Sequence, residues 1–347
     1  MNIYRNTYVK IDYDNIKYNV SKIINEFNNY EYYFGVVKAN CYGHGLKSIK
    51  SIIDGGCNYL VVALLEEALE IRKIYKDIPI LCLGIIDKEF LAVAYKNNIT
   101  ITVNSYEYAK KVKDTNLNLK VHIKINSGMN RLGISSKEEF NKTYNLLKGL
   151  VEGIYTHIYD AENEKTTNNQ VEKYKDIISD INKDEVKIFH IAASEALINY
   201  EKLDFVNGCR LGIIMYGFTD SDIKLKSTFS LHSHIVQINK LKKGDTLGYN
   251  GTYIAKDDEC IAVIPIGYAD GVIRANKGRY VYINNNRYQI VGNICMDMLF
   301  VKIDDTINIG DEVLILKDNA HINEVSKYLN TIPYEVISLI SSRVSRI

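Results

Sequence analysis

The chain has 347 residues, 46% of them hydrophobic, with Lys+Arg 43 against Asp+Glu 42 for a formal charge of +1. A chain of that length buries a large core as two domains or as one barrel with an appendage, and its near-neutral charge offers no field for nucleic acid or an anionic membrane surface. Six cysteines (Cys41, Cys57, Cys82, Cys209, Cys260, Cys295) without a Cys-x-x-Cys pair exclude a zinc-site spacing or a disulfide framework and fit a reducing compartment. Met1 is followed by Asn-Ile-Tyr-Arg-Asn rather than a basic-then-apolar leader, and no apolar run approaches the ~20 residues of a membrane span, so a cytoplasmic protein with a small-molecule partner is expected.

In chain order, an opening strand at 8–11 precedes a helix whose apolar positions Ile16, Val20, Ile23, Ile24 and Phe27 keep helical spacing. Short apolar runs then alternate with amphipathic segments. The runs at 33–38, 59–63, 80–84, 99–103, 120–125, 151–157, 186–192 and 206–212 read as strands buried on both faces. The segments at 45–53, 66–75, 88–96, 106–112, 137–147, 170–181 and 195–200 read as helices. Strand and helix alternating over about 200 residues call for a parallel sheet, and eight such units close most economically into a (β/α)8 TIM barrel. Near residues 221–226 the pattern changes. Strands at 229–238, 258–264, 279–283, 289–291, 299–303 and 312–316, with turns at 243–245, 284–286 and 310–311, predict a mostly β domain with one short helix at 323–329. The fold class is α/β: a barrel over residues 1–224, then a β domain over 225–347, packed rigidly because no low-complexity linker separates them.

The working residues of a barrel lie at the carboxyl ends of its strands. Lys38 ends the first, where desolvation lowers a lysine's pKa and leaves a neutral amine able to attack a carbonyl. A bare strand-end lysine usually keeps its ammonium in water. Here the following Ala39-Asn40-Cys41-Tyr42-Gly43-His44-Gly45 adds a phenol four residues on, and two glycines that let the backbone come close to something. Lys124 and Arg131 lie at and beyond the fifth strand, His157 ends the sixth, Ser194 follows the seventh, and Arg210, Gly212 and Ile213 belong to the eighth. The loops after strands seven and eight are the usual phosphate site of a barrel. Ser194 is therefore expected as helix N-cap and donor, with Gly212 and Ile213 offering backbone N–H groups. Taken singly, a lone His157 or Arg210 is more often a hydrogen-bonded structural group or a surface charge; the coincidence of five strand ends weighs against that reading.

The β domain carries Gly248-Tyr249-Asn250-Gly251-Thr252-Tyr253, Ile266-Gly267-Tyr268-Ala269-Asp270-Gly271 and Cys295-Met296-Asp297. Together with Val36-Val37-Lys38-Ala39-Asn40-Cys41-Tyr42-Gly43-His44-Gly45, these motifs resemble the alanine racemase family, and the likeness runs from the opening strand to 340–346. The resemblance implies pyridoxal 5'-phosphate held by Lys38, and two-base racemisation of alanine that supplies D-alanine for peptidoglycan. Lys38 would serve one face of the substrate Cα, and Tyr249, contributed by the other subunit of a homodimer, the opposite face. The resemblance also assigns Tyr42, Ser194, Gly212 and Ile213 to the phosphate, and Arg210, hydrogen-bonded by His157, to the pyridine nitrogen. Arg131, Tyr268, Met296 and Asp297 fall to the substrate, and Lys124 matches a lysine often carbamylated to orient Arg131. Such a set suits racemisation, in which a proton leaves one face of a carbon and returns on the other with an electron sink between.

The chain departs from the family pattern at Asn126-Ser127, where Asp-Thr is usual, at Ala193, where Asn is usual, and at Ser342, where a bulky tyrosine is frequent. None of these removes an acid/base group. The smaller side chains leave room for serine beside alanine, so a serine or broad-specificity racemase is the alternative. The serine/alanine racemases of vancomycin resistance are the near relatives, and they carry a membrane domain absent from this chain. Two further alternatives are a non-catalytic pyridoxal-phosphate carrier, which lacks a β domain, and a basic amino-acid decarboxylase of the same architecture, against which the Tyr-Gly-His-Gly and Cys-Met-Asp patterns weigh.

Overall fold

The computed structural model describes residues 4–347. Strand β1 (Tyr8–Ile11) leads into helix Tyr13–Glu26, whose first turn is capped by Asp12: the carboxylate accepts the Asn15 N–H at 2.8 Å. That helix buries Ile16, Val20 and Ile23 as expected, and also Asn19, whose amide donates to the carbonyls of Met215 and Lys226 at 3.2 and 2.9 Å. The closed barrel follows: β2 (Tyr32–Val36), β3 (Tyr59–Val62), β4 (Ile80–Cys82), β5 (Ile99–Val103), β6 (Val121–Lys124), β7 (Val151–Tyr155), β8 (Ile188–Ala193) and β9 (Gly208–Leu211). All its pairings are parallel, and the pairing of β2 with β9, Phe34 opposite Arg210, shuts the ring. Every residue of β3, β4, β5, β6 and β9 is buried, as strands require when helices cover one face and packed side chains fill the other. One helix differs from expectation: Glu164–Ile177 begins at Glu164 rather than at residue 170. Asn163 caps it by accepting the Thr166 N–H, while the polar first turns carry no apolar period to announce it.

The second half forms β10 (Phe229–His234), β11 (Gln237–Leu241), β12 (Thr246–Leu247), β13 (Tyr253–Ile254), β14 (Glu259–Ile264), β15 (Tyr280–Ile283), β16 (Asn286–Val291), β17 (Leu299–Ile303), β18 (Glu312–Leu316) and β19 (Ser345–Arg346). Strands β12 and β13 pair with each other, and the rest join a nine-stranded sheet in the order β11-β14-β17-β16-β15-β18-β10-β1-β19. The single strand expected over 229–238 is two. At Ile235, fully buried, the chain leaves the β18 side of the sheet and crosses to pair with β14. The expected helix at 323–329 begins earlier, as Asn319–Tyr328, because Asp318 accepts the His321 N–H at 2.9 Å. Strand β1, which the sequence places ahead of the barrel, lies instead in this sheet, antiparallel to β10 and parallel to β19. One apolar cluster runs through both halves, from Val9 and Val20 to Met215, Leu231, Leu316 and Val344. Among the described residues no helix is long and apolar enough to cross a membrane.

Candidate active site

Strand β2 ends at Val36, and after Val37 the chain turns left-handed. Ala39, Asn40, Cys41 and Tyr42 have φ of 52°, 53°, 54° and 51°, a conformation that costs a non-glycine residue about 1–2 kcal/mol each. Local and distant hydrogen bonds hold it. Val37 O accepts the Cys41 N–H at 3.0 Å and Asn40 O accepts the Gly45 N–H at 2.9 Å. The Glu67 carboxylate accepts the N–H of Ala39 at 2.6 Å while also taking those of Ala63 and Leu64. Nothing in the sequence pattern singles out Glu67 beyond an acid in a first helical turn. Gly43 continues with φ 82°, and a Cβ there would run into the carbonyl oxygen of Ile337 in helix Pro333–Ser338. The close approach that the glycines permit is thus to the chain's own C-terminal segment, and Arg346 Nε also donates to Gly43 O at 3.0 Å. Gly43→Ala is expected to destabilise the fold by about 2–4 kcal/mol, seen as a lower urea midpoint at unchanged slope. An unchanged midpoint would show that this turn is free to relax.

This turn points Lys38 and Tyr42 into the barrel mouth, Nζ lying 6.0 Å from the Tyr42 ring centre. Burial holds the Lys38 ammonium below the ordinary lysine range and the charge of Arg131 lowers it further, against a smaller opposing pull from Glu67. Burial likewise keeps the Tyr42 phenol protonated and hence a donor. Ser194 is the first residue of helix Ser194–Asn199, with Ala193 in the cap position, so its hydroxyl does not cap that helix as expected. Its Oγ instead accepts the Gly212 N–H at 3.3 Å. A Cβ on Gly212 would sit 3.4 Å from both Ser194 Oγ and Tyr42 Oη. The missing methyl leaves a cradle where a phenol, a hydroxyl and a backbone N–H converge, with Ile213 opening the short helical turn Ile213–Tyr216 behind it.

Arg210 is buried on β9. Its Nη1 donates to His190 Nδ1 at 2.8 Å and to His190 O at 3.1 Å, and its Nη2 to the carbonyls of Thr156 and Ile191, both at 2.8 Å, and to His157 Nδ1 at 3.2 Å. Its Nε–H finds no acceptor among the described residues. Burial pulls the guanidinium down to about 10, still charged at neutrality, and pushes His157 down to about 3, a neutral ring that can accept. Lys124, at the end of β6, is buried 4.9 Å above the Tyr155 ring centre. Desolvation, then the charges of Arg210 and Arg131, lower it to about 6. Arg131 is exposed on the following loop, whose backbone Asn126 ties by accepting the N–H groups of Gly128 and Asn130 at 3.3 and 2.9 Å. Ser127 Oγ meets Thr156 Oγ1 at 2.7 Å. Among the described residues no carboxylate hydrogen-bonds to Lys38, Lys124, Arg131 or Arg210. A mouth so furnished favours an anionic ligand. His190, a direct support of Arg210, carried no signal beyond an inward position on its strand.

The other expected residues stay on the surface of the β half. Tyr249 is 70% exposed and Met296 53%, and Asp297 is paired with Arg343 at 2.7 Å. The Tyr268 N–H donates to Cys295 O at 3.1 Å and the Ala269 N–H to Met296 O at 3.0 Å, zipping two of the motif loops together, while Asn293 Nδ2 donates to Tyr249 O at 3.1 Å. These hydrogen bonds and ion pairs tie the group to its own sheet, and none of them reaches Lys38, Arg131 or Arg210.

Residues 11–220 match the family model for the alanine racemase N-terminal domain, and residues 228–347 match that for the C-terminal domain. The chain belongs to the alanine racemase family. An alanine racemase of Halalkalibacterium halodurans is 35% identical across 99% of this chain and 95% of its own length, and one of Clostridium tetani is 36% identical across the same shares. The solved alanine racemase of Bacillus anthracis with bound L-Ala-P superposes with a TM-score of 0.93 at 33% identity, over 100% of this chain and 96% of that one. Matches to both halves leave no place for the carrier alternative, which has no second domain. In this chain the Arg131 loop is fixed by the Asn126 side-chain amide, whose oxygen accepts two loop N–H groups.

Proposed function

We propose that this protein interconverts L- and D-alanine with pyridoxal 5'-phosphate, supplying D-alanine for peptidoglycan. The observation that carries the reading is the convergence, at one barrel mouth, of a desolvated lysine, an anion cradle and a buried arginine with one unused donor. When bound, pyridoxal 5'-phosphate supplies an electron sink that acidifies the α-carbon of an attached amino acid. In this reading the cradle of Tyr42, Ser194, Gly212 and Ile213 takes the phosphate. Arg210, held by His157 and His190, would offer its free Nε–H to the pyridine nitrogen, and as a cation there would disfavour protonation of that nitrogen. Arg131 binds the substrate carboxylate. Lys38 Nζ would hold the cofactor and, as a neutral amine, would exchange a proton on one face of Cα.

The opposite face needs a second acid/base group. We assign that role to Tyr249 of the partner subunit in a homodimer, with Tyr268, Met296 and Asp297 beside it on the substrate side. Their exposure on the single chain is what a shared site requires. Lys124, neutral at pH 7 and set between two guanidiniums, suits carbamylation: an added CO2 turns a neutral amine into an anion that pairs with Arg131. Intact mass under gentle conditions would reveal the adduct. All six cysteines are unpaired, which fits the cytoplasm as the place of reaction.

The test of substrate is kcat/KM for L-alanine against L-serine, in wild type and in Ser342→Tyr. Ser342 and Ala193 each stand where the family usually has a larger residue, and one missing steric group shifts discrimination by about 1–3 kcal/mol. Alanine is expected to be preferred, with serine turned over detectably, and Ser342→Tyr to widen the gap. A wild type that favours serine would replace this reading with a serine racemase. A ratio untouched by Ser342→Tyr would remove Ser342 from specificity.

A further inference from the structure

The hydrogen bonds that hold Arg210 continue through the barrel. Arg210 is buried against neutral acceptors only, an arrangement that leaves its charge uncompensated unless an anion lies within reach. From Nη1 the path runs to His190 Nδ1 at 2.8 Å, from His190 Nε2 to His122 Nδ1 at 2.9 Å, and from His122 Nε2 to Glu152 Oε2 at 3.5 Å. Glu152 sits at the start of β7, at the amino end of the barrel and away from the mouth, its side chain 11% exposed. Tyr59 Oη donates to the same oxygen at 2.8 Å, and Lys187 Nζ lies 3.9 Å from Oε1 at the rim. Space for this path is built into the strands: a Cβ at Gly153 would come within 2.6 Å of the His122 ring.

The direction of each step follows from the ends. A guanidinium only donates, so His190 must accept with Nδ1 and carry its proton on Nε2. His122 then accepts with Nδ1, and its Nε2–H faces Glu152. A carboxylate only accepts, so the same tautomers follow when the chain is read from Glu152. Two neutral imidazoles therefore join a buried cation to a carboxylate at the far end of the barrel. The charge states of the rings agree: burial lowers both histidines, in keeping with neutral imidazoles. The His122–Glu152 step is the loose one, since His122 Nε2 has no well-formed hydrogen bond.

We propose that Glu152 is a positioning residue for Arg210, acting through His122 and His190 to orient the guanidinium so that its Nε–H faces the site. The inference rests on the proposed role of Arg210 toward the pyridine nitrogen, but its first test does not. In the cofactor-free protein labelled with 15N-histidine, His122 and His190 are expected to be neutral and protonated on Nε2 from pH 6 to 8. In Glu152→Gln, solvent exchange of the His122 Nε2 proton is expected to quicken by at least about 10-fold as the carboxylate acceptor is lost. Either histidine found protonated on Nδ1, or exchange unchanged in the variant, would overturn the proposal whatever the enzyme's activity. In the loaded enzyme, Glu152→Gln is expected to lower kcat for L-alanine about 10-fold with KM within two-fold, and to do nothing further in an Arg210→Lys background. Additive effects of the two substitutions would reduce Glu152 to a structural role. If no variant or wild type racemises alanine at all, the functional reading fails while the tautomer result still stands.

Discussion

Replacing Lys38 by alanine is expected to lower kcat/KM for L-alanine by more than about 10⁴-fold, because one side chain provides both the covalent hold on the cofactor and the acid/base group on one face of Cα. No neighbour can stand in for it within the same geometry. Lys38 rides on a left-handed turn clamped by Glu67 and by the C-terminal segment, so its Cα position does not relax toward another donor. The independent measurement is borohydride reduction of the loaded protein followed by intact mass. Wild type should retain the cofactor covalently, and Lys38→Ala should not. Lys124 is the one other described lysine whose ammonium is held below the ordinary range, and it is the site at which an unexpected adduct would be sought. A Lys38→Ala protein that still fixes the cofactor would displace Lys38 from the proposed role.

Tyr249→Phe is expected to cost on the order of 10²–10⁴-fold in turnover, the usual contribution of a positioned proton-transfer group. The substitution preserves the ring and removes only the hydroxyl. Tyr249 also makes few demands on the fold: its side chain is largely exposed on the single chain and its backbone carbonyl is what Asn293 holds. Lost activity with an unchanged melting temperature would therefore report chemistry. The loss should be asymmetric: with Lys38 intact, exchange of the Cα proton with solvent deuterium should survive for one enantiomer and fall for the other. Near-wild-type exchange from both enantiomers would contradict a two-sided mechanism. Because the hydroxyl is proposed to come from the partner subunit, wild-type activity should also fall on dilution below the dimer dissociation constant. Dilution that leaves specific activity constant in a chain shown to be monomeric would argue against a shared site.

Much of this was legible in the residues because the physics involved is local. Strands buried on both faces must be continuously apolar, so the eight barrel strands announce themselves, and the strand-end rule then places Lys38, Lys124, His157, Ser194 and Arg210 at one mouth. Elements that end in polar capping were less legible. The first turns of Glu164–Ile177 and Asn319–Tyr328 are set by Asn163 and Asp318 and have no apolar period to count. The split of residues 229–238 into β10 and β11 was invisible because both pieces are equally strand-like, and only their partners differ.

The sequence by itself determined the barrel, the β-rich second half and the identities of the groups at the mouth, since periodicity and motif spacing are properties of neighbouring residues. Only the tertiary structure decided how those groups are aimed. The left-handed run at 39–42 contains no glycine and is held by Glu67 of helix Leu65–Ile74 and by the segment around Ile337 and Arg346, residues remote in the chain. The pairing of β1 with β10 and β19 joins Tyr8 to His232 and Ser345, residues far apart in the chain. The course of hydrogen bonds from Arg210 through His190 and His122 to Glu152 exists because four parallel strands bring inward positions to successive heights in one ring, a closeness that the linear order of residues does not contain.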